Sequence, residues 1–349
     1  MNNLTENQHV SLESMRGLAA ITVAIAHVVQ FYIVRFYPDA YLYVSFAAQS
    51  SVMVFFSMSG LLIGKSIQSN TIKNGRFMLS VYAESRFKRI YPPLILSIAL
   101  IIVLNYTSPY LSELINTILS STERGAMNGN FIYNPSQIFA ILTFSNGILS
   151  PVIPFNQPLW SLPFEVWYYV IAGLLFTKKP LSIISAMVIF FCISSLKFEF
   201  FIYAFVWFSG LIVSYIPAAS GKYKYIAISL FIFLATASAF LWFSFVEKKI
   251  ILGYYNTAFG LFFTSFMYLF LVVFDKKISF LKNTSKYSYT IYITHYPILY
   301  FVFGMFESKI MSNFWCSSLV GIASLSLALI FANYSSKIFE SKKYINKLM

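Results

Sequence analysis

About ten apolar segments, near 15–34, 45–64, 90–106, 160–177, 181–196, 199–216, 224–243, 256–274, 288–306 and 314–333, dominate this chain. Runs of this kind approach the roughly 20 residues a helix needs to cross a hydrocarbon core about 30 Å thick. Inside lipid the backbone must satisfy its own hydrogen bonds, so the segments are expected as helices rather than open sheet. The expected fold is an all-α polytopic membrane protein with about ten transmembrane helices. Only 11% of the 349 residues are charged and 58% are hydrophobic. Soluble domains carry about a quarter charged residues, so a soluble globular domain is excluded.

Lys and Arg then orient the segments. They crowd alternate connections, at Arg16, 65–89, 178–179, 222–224, 276–286 and 337–347, whereas the intervening connections hold Arg35, Arg124, Lys197, Lys248, Lys249 and Lys309. By the positive-inside rule the richer set is cytoplasmic, and an even number of spans puts both termini there. The net charge of +13 is thereby a topology signal. Because the basic residues lie in short connections and not on one polar face, no nucleic-acid partner is expected. Residues 1–13, including His9, read as a solvated polar tail. No small-residue cleavage pattern ends the first apolar run, so no leader is expected to be removed. Cys192 and Cys316 belong to no CxxC or Cys/His cluster, which leaves no metal or redox motif.

The whole chain reads as a single membrane domain, 1–349, with two longer connections. A basic cytoplasmic loop is expected at 65–89, able to touch lipid headgroups. A long extracytoplasmic loop is expected at 107–158, sparse in charge and with apolar stretches suited to a partial cover over the outer mouth. No soluble catalytic domain is expected after the last apolar segment.

Ionisable residues inside the apolar segments mark candidate chemistry, because they are costly in hydrocarbon. Arg16 opens the first segment and His27 lies within it. Eleven residues at about 100° each return them to within roughly 20° of one helix face, about 16 Å apart along the axis. On the expected topology His27 lies roughly 18–20 Å above the cytoplasmic boundary. Glu165 in the fourth segment lies about 10 Å below the outer boundary, close to the same depth. A carboxylate and an imidazole in one layer suit general acid/base work, the carboxylate fixing the imidazole's tautomer. His295 lies about a third of the way up the ninth segment, followed by Pro297, which can loosen a helix beside a cavity. Bland readings stand beside these. An intramembrane histidine can simply bond across helices. Glu165 can be a helix-packing residue, Trp160 part of an interfacial aromatic belt, and Ser161 a helix cap. Arg16, Arg86 and Arg89 near the cytoplasmic face can anchor to lipid or bind phosphates bidentately, and a donor such as coenzyme A would fit the latter.

These residues resemble the integral-membrane acyltransferase family 3. Arg16 to His27 looks like the family's first-helix element of a basic residue and a histidine. Phe55-Phe56-Ser57-Met58-Ser59-Gly60 looks like its Phe-Phe-x-x-Ser-Gly, and Arg86-Phe87-Lys88-Arg89-Ile90-Tyr91-Pro92 its Arg-x-x-Arg followed by Tyr-Pro. Trp160-Ser161-Leu162 with Glu165 is similar to Trp-Ser-Leu-x-x-Glu, and 288–297 to the Ser-Tyr-x-x-Tyr-Leu-x-His-x-Pro block. Lys337-Ile338-Phe339-Glu340 approaches a closing Val-Glu-x-Pro, but Lys342 replaces the proline and no role is carried over. The matches keep the family's order along nearly the whole chain.

The resemblance implies a bacterial inner-membrane O-acyltransferase, most often an O-acetyltransferase. It implies acetyl-CoA as donor at the cytoplasmic face, no permanently bound cofactor, and an extracytoplasmic glycan as acceptor: capsule, O-antigen or exopolysaccharide. On this reading Arg16, Arg86 and Arg89 hold the CoA phosphates. His27 is either the general base or the transient acyl carrier, with Glu165 orienting it or accepting a proton. Trp160, Ser161, Tyr289 and His295 would line the substrate cavity. The rival is a transporter or flippase of a lipid-linked saccharide, which would also use intramembrane ionisable residues. Single His and Glu residues, without a matching pair in the second half, favour the enzyme.

Overall fold

The computed structural model describes residues 4–111 and 135–341, and within them it is helical throughout apart from turns and one isolated bridge between Asn146 and Ser150. The helices are α1 (Glu6–Val28), α2 (Ala40–Asn74), α3 (Leu79–Leu111), α4 (Pro135–Leu142), α5 (Ser161–Phe176), α6 (Pro180–Leu196), α7 (Phe198–Val213), α8 (Lys222–Val246), α9 (Leu252–Met267), α10 (Ser288–Ile310) and α11 (Phe314–Phe339). π-helical turns extend α1 over Val29–Ile33 and α9 over Tyr268–Val273, and a 3₁₀ segment, Pro154–Trp160, leads into α5.

Each expected apolar segment falls on a helix. Among the described residues, seven helices are long and apolar enough to cross a membrane: Glu6–Ile33, Ala40–Asn74, Leu79–Thr107, Pro154–Phe176, Lys222–Val246, Leu252–Val273 and Phe314–Phe339. The chain is a multi-pass membrane protein on that count. Helices α6 and α7 are apolar but only 17 and 16 residues long, about 25 Å of rise each. Helix α10, 23 residues long with Ser, Thr, Tyr and His in its first half, is not among those seven.

The connections differ from expectation. The segment 65–89 is mostly helical, since α2 continues to Asn74 and α3 begins at Leu79. Lys, Arg, Glu and Ala favour helix once the apolar run has ended, and only 75–78, opening with Gly75 at φ +69°, break it. Of the expected outer loop, 112–134 lies outside the described residues, while α4 and the 3₁₀ segment occupy part of the rest. Of the expected polar tail at 1–13, residues 1–3 lie outside the described residues and 6–13 are helix rather than tail. Glu6 to Val10 already lie in α1, and Ser11 and Ser14 are fully buried.

The described chain falls into two compact units. The first comprises residues 1–19, 49–86 and 164–284. In it, side chains of α1 close the backbone of an extended segment. Ser11 Oγ donates to the Lys276 carbonyl (3.0 Å) and accepts from the Ile278 N–H (2.8 Å), and Ser14 Oγ donates to the Ile278 carbonyl (2.8 Å). Thr5 Oγ1 donates to Asp275 Oδ1 at 2.7 Å. His9 stays exposed beside Glu13. Helices α2 and α7 cross backbone to backbone. A Cβ at Gly60 would lie 1.9 Å from the Trp207 carbonyl oxygen, and one at Gly210 would lie 2.0 Å from that of Ser57. Gly60 and Gly64 form a GxxxG pair, the small-residue spacing that lets membrane helices approach closely.

The second unit comprises residues 20–48, 87–163 and 285–349. Here α10 packs on α11 through Ile298, Val302 and Ala328. Tyr32, in the π turn after α1, lies against Gly321 of α11, donates to the Leu299 carbonyl (3.0 Å) and accepts at its own carbonyl from Ser317 Oγ (2.6 Å). Pro297 sits inside a continuous α10. A proline lacks the N–H that the carbonyl four residues earlier expects. That carbonyl, Ile293, is instead met by Ser97 Oγ at 2.6 Å and Asn156 Nδ2 at 2.7 Å. The helix therefore keeps its course, and its spare acceptor fastens α3 and the 3₁₀ segment to it.

Candidate active site

Two histidines meet in the second unit. The rings of His27 and His295 stack with centroids 5.3 Å apart and planes inclined by 30°, and Tyr296 closes edge-on against His27 at 5.1 Å. His295 Nδ1 lies 2.7 Å from the Ile291 carbonyl. A carbonyl can only accept, so this nitrogen carries the proton and Nε2 holds the lone pair. His295 is fully buried, and its Nε2 has no hydrogen-bond partner among the described residues. His27 is only half-buried. Its Nδ1 lies 2.7 Å from Gln30 Oε1, while Gln30 Nε2 donates to Ser45 Oγ at 3.3 Å. An amide oxygen can only accept, so Nδ1 is the protonated nitrogen here too. Both imidazoles therefore present Nε2 as a base.

The entry to α5 lies beside this pair in the same unit. Tyr292 donates to the Pro158 carbonyl at 2.9 Å, which leaves its oxygen to accept from Ser161 Oγ at 2.7 Å. Ser161 thus begins α5 with its hydroxyl committed to α10, one turn from His295. Trp160 is half-buried at the end of the 3₁₀ segment. Tyr289 donates to the Ile90 carbonyl at 3.4 Å. Thr290 donates through both N–H (3.0 Å) and Oγ1 to Glu340 Oε1, so Glu340 caps the start of α10. That is the role its position in the sequence did not disclose.

Glu165 has its own surroundings in the first unit. Ser59 Oγ donates to its Oε1 at 2.6 Å and Tyr169 donates to the same oxygen. Trp207 Nε1 donates to Ser59 Oγ at 3.2 Å, across the close α2–α7 crossing. Both donors fall on Oε1, leaving Oε2 outside the network. Tyr169 was readable as an i,i+4 neighbour of Glu165, whereas Ser59 and Trp207 reach it only through the tertiary crossing. Within the second unit, Gln30 and His295 are the groups found against His27.

Arg86 and Arg89 lie toward the N-terminal end of α3, and Arg16 near the middle of α1. Arg16 is half-buried on α1 and Arg89 exposed on α3. Arg86 donates from Nη2 to Ser66 Oγ and from Nε to Ser85 Oγ, both at 3.2 Å, and its guanidinium lies 5.8 Å from the centre of the Tyr82 ring. Both of these bonds go to hydroxyl oxygens. Among the described residues no group of three His, Cys, Asp or Glu is placed to hold a metal ion.

No curated protein and no solved structure matches the chain. A family model does, the acyltransferase domain, over residues 9–333. With a match that spans nearly every helix described, from α1 through most of α11, the chain belongs to acyltransferase family 3.

Proposed function

We propose that this membrane acyltransferase is an O-acetyltransferase of the bacterial inner membrane, moving acetyl from cytoplasmic acetyl-CoA to a hydroxyl of a surface polysaccharide. The proposed topology has ten spans, the three less typical helices included, and both termini in the cytoplasm. The observation that carries the catalytic reading is His27: a half-buried imidazole whose Nδ1 is committed to Gln30, leaving Nε2 as its basic atom. In the proposed reaction Nε2 takes the proton of the acceptor hydroxyl as that oxygen attacks the thioester carbonyl. The tetrahedral adduct collapses, the C–S bond breaks, and the departing thiolate takes the proton from the imidazolium. Acceptor ester and free CoA result, and His27 returns to its neutral form.

Arg16, Arg86 and Arg89 are proposed to bind the donor's phosphates, whose geometry a planar guanidinium meets bidentately. Trp160, Ser161, Tyr289 and His295 are proposed around the acceptor. Glu165, with Oε2 outside its network, is proposed as a carboxylate that exchanges protons during turnover.

The test is a His27→Ala variant reconstituted in lipid and supplied with labelled acetyl-CoA and polysaccharide-bearing membranes. Loss of label transfer of about a hundredfold or more is expected from a general base, with helicity and insertion retained. Normal transfer would refute the reading. Label appearing on a histidine of the wild-type chain would instead identify His27 as an acyl carrier, and saccharide movement without CoA release would identify a flippase.

A further inference from the structure

His27 has a neighbour that neither its motif nor the family match accounts for. Gln30 follows it by three residues and lies at the start of a π-helical turn, Val29–Ile33. Its side chain is engaged at both ends: Oε1 against His27 Nδ1 at 2.7 Å, and Nε2 on Ser45 Oγ at 3.3 Å. An amide bonded at one end only can rotate by 180° and exchange acceptor for donor. Ser45 supplies a second contact that fixes the plane of the amide, and Oε1 is the end that faces the ring.

The turn carrying Gln30 is itself fixed. Tyr32, two residues on, is fully buried, bonded through its hydroxyl to the Leu299 carbonyl and through its own carbonyl to Ser317. A π turn inserts one extra residue into the helix, and such turns recur where a protein must aim a functional side chain. Its other neighbours give His27 no comparable control. The titratable groups found against the ring are His295, stacked at 5.3 Å, and Tyr296, edge-on at 5.1 Å, and both meet it through ring contacts. His295 spends its own N–H on Ile291.

We propose that Gln30 is the positioning residue of His27: it holds the Nδ1–H tautomer and points Nε2 outward as the base for acyl transfer. The proposal rests on the catalytic reading of His27 given above. A neutral amide here does what a carboxylate does in a Ser-His-Asp triad, fixing tautomer and orientation, without adding a charge to a membrane-embedded site. Loss of Gln30 leaves the imidazole free to carry its proton on Nε2, where it cannot act as a base, and free to rotate.

The chain has only three histidines, so selective ¹⁵N-histidine labelling resolves each by NMR in lipid nanodiscs, and a His27→Ala spectrum assigns the signal. In wild type His27 is expected as the Nδ1–H tautomer. Gln30→Leu is expected to convert it largely to Nε2–H or a mixture, and Gln30→Glu to retain Nδ1–H, because a carboxylate oxygen still accepts. In parallel, transfer from acetyl-CoA is followed by free-thiol release in the presence of polysaccharide-bearing membranes. Gln30→Leu is expected to lower turnover about ten-fold or more with KM for acetyl-CoA unchanged, and Gln30→Glu to recover most of it.

An unaltered His27 tautomer in Gln30→Leu would overturn the proposal, as would a changed tautomer with unchanged turnover. If Gln30→Leu fails to fold, Gln30→Glu decides alone: loss of the Nδ1–H signal in that variant refutes the assignment, and its retention supports it. Full activity of His27→Ala would sink the catalytic reading, yet the tautomer measurement would still stand or fall separately.

Discussion

The Ile293 carbonyl offers a test of how α10 is held in place. Pro297 removes its helical donor, and Ser97 and Asn156 take both lone pairs, at 2.6 and 2.7 Å. Asn156→Ala deletes the bond to Ile293 and a second one from Nδ2 to Ser97 at 3.1 Å. It also deletes Oδ1, which is buried with no hydrogen-bond partner among the described residues, so the cost falls toward the lower part of the usual range, about 1–2 kcal/mol. Pro297→Ala restores an N–H aimed at Ile293, and three donors then compete for two lone pairs. Asn156→Ala made in that background should cost about 1 kcal/mol less, the net worth of one hydrogen bond. The assay is a double-mutant cycle by reversible unfolding in mixed micelles of increasing SDS fraction. Independent sites add to within about 0.5 kcal/mol. Additivity to that level would refute the claim that the proline's missing donor is what the asparagine replaces.

Gly60→Ala should cost about 1–3 kcal/mol in the same unfolding assay. Its Cβ would meet the Trp207 carbonyl at 1.9 Å, so α2 and α7 must separate; a neutral result would mean that the crossing is looser than described. Arg86→Ala should raise KM for acetyl-CoA about ten-fold with little change in turnover, and should weaken the dependence of KM on salt. An unchanged KM would leave Arg86 as a structural partner of Ser66 and Tyr82.

Most of the helical architecture was legible because hydropathy and length are local properties, and the apolar segments carry both. Hydropathy stops being informative where the chain leaves lipid but stays helical. That is why 65–89 read as a loop although only 75–78 interrupts the helices. The polar start of α1 misled for a related reason: Ser11 and Ser14 look like surface residues until the backbone at 276–278 is brought to them. In the candidate site, His27, His295 and Glu165 were identifiable as costly intramembrane groups. Depth along a span does not say which helices are neighbours, so the stack of His27 on His295 could not be read from it. Gln30 was within reach of helical i,i+3 spacing, and Ser45 was not. Ser59 stood in plain view in a motif, but its contact with Trp207 depends on glycines that only matter once two helices touch.

The π turn at Val29–Ile33 has a consequence for how this first span tolerates length changes. One residue more than an α-helix would use is stored there, immediately past His27 and before the point where Tyr32 is pinned by Leu299, Ser317 and Gly321. Deleting a single residue within 29–33 would let the segment close to regular α-helix while everything beyond it keeps its orientation to His27, because a π turn absorbs its extra residue locally. The histidine before the turn and the pinned helix beyond it would then both keep their places. A deletion of the same size in the regular α-helix before the turn would instead rotate everything beyond it by about 100°.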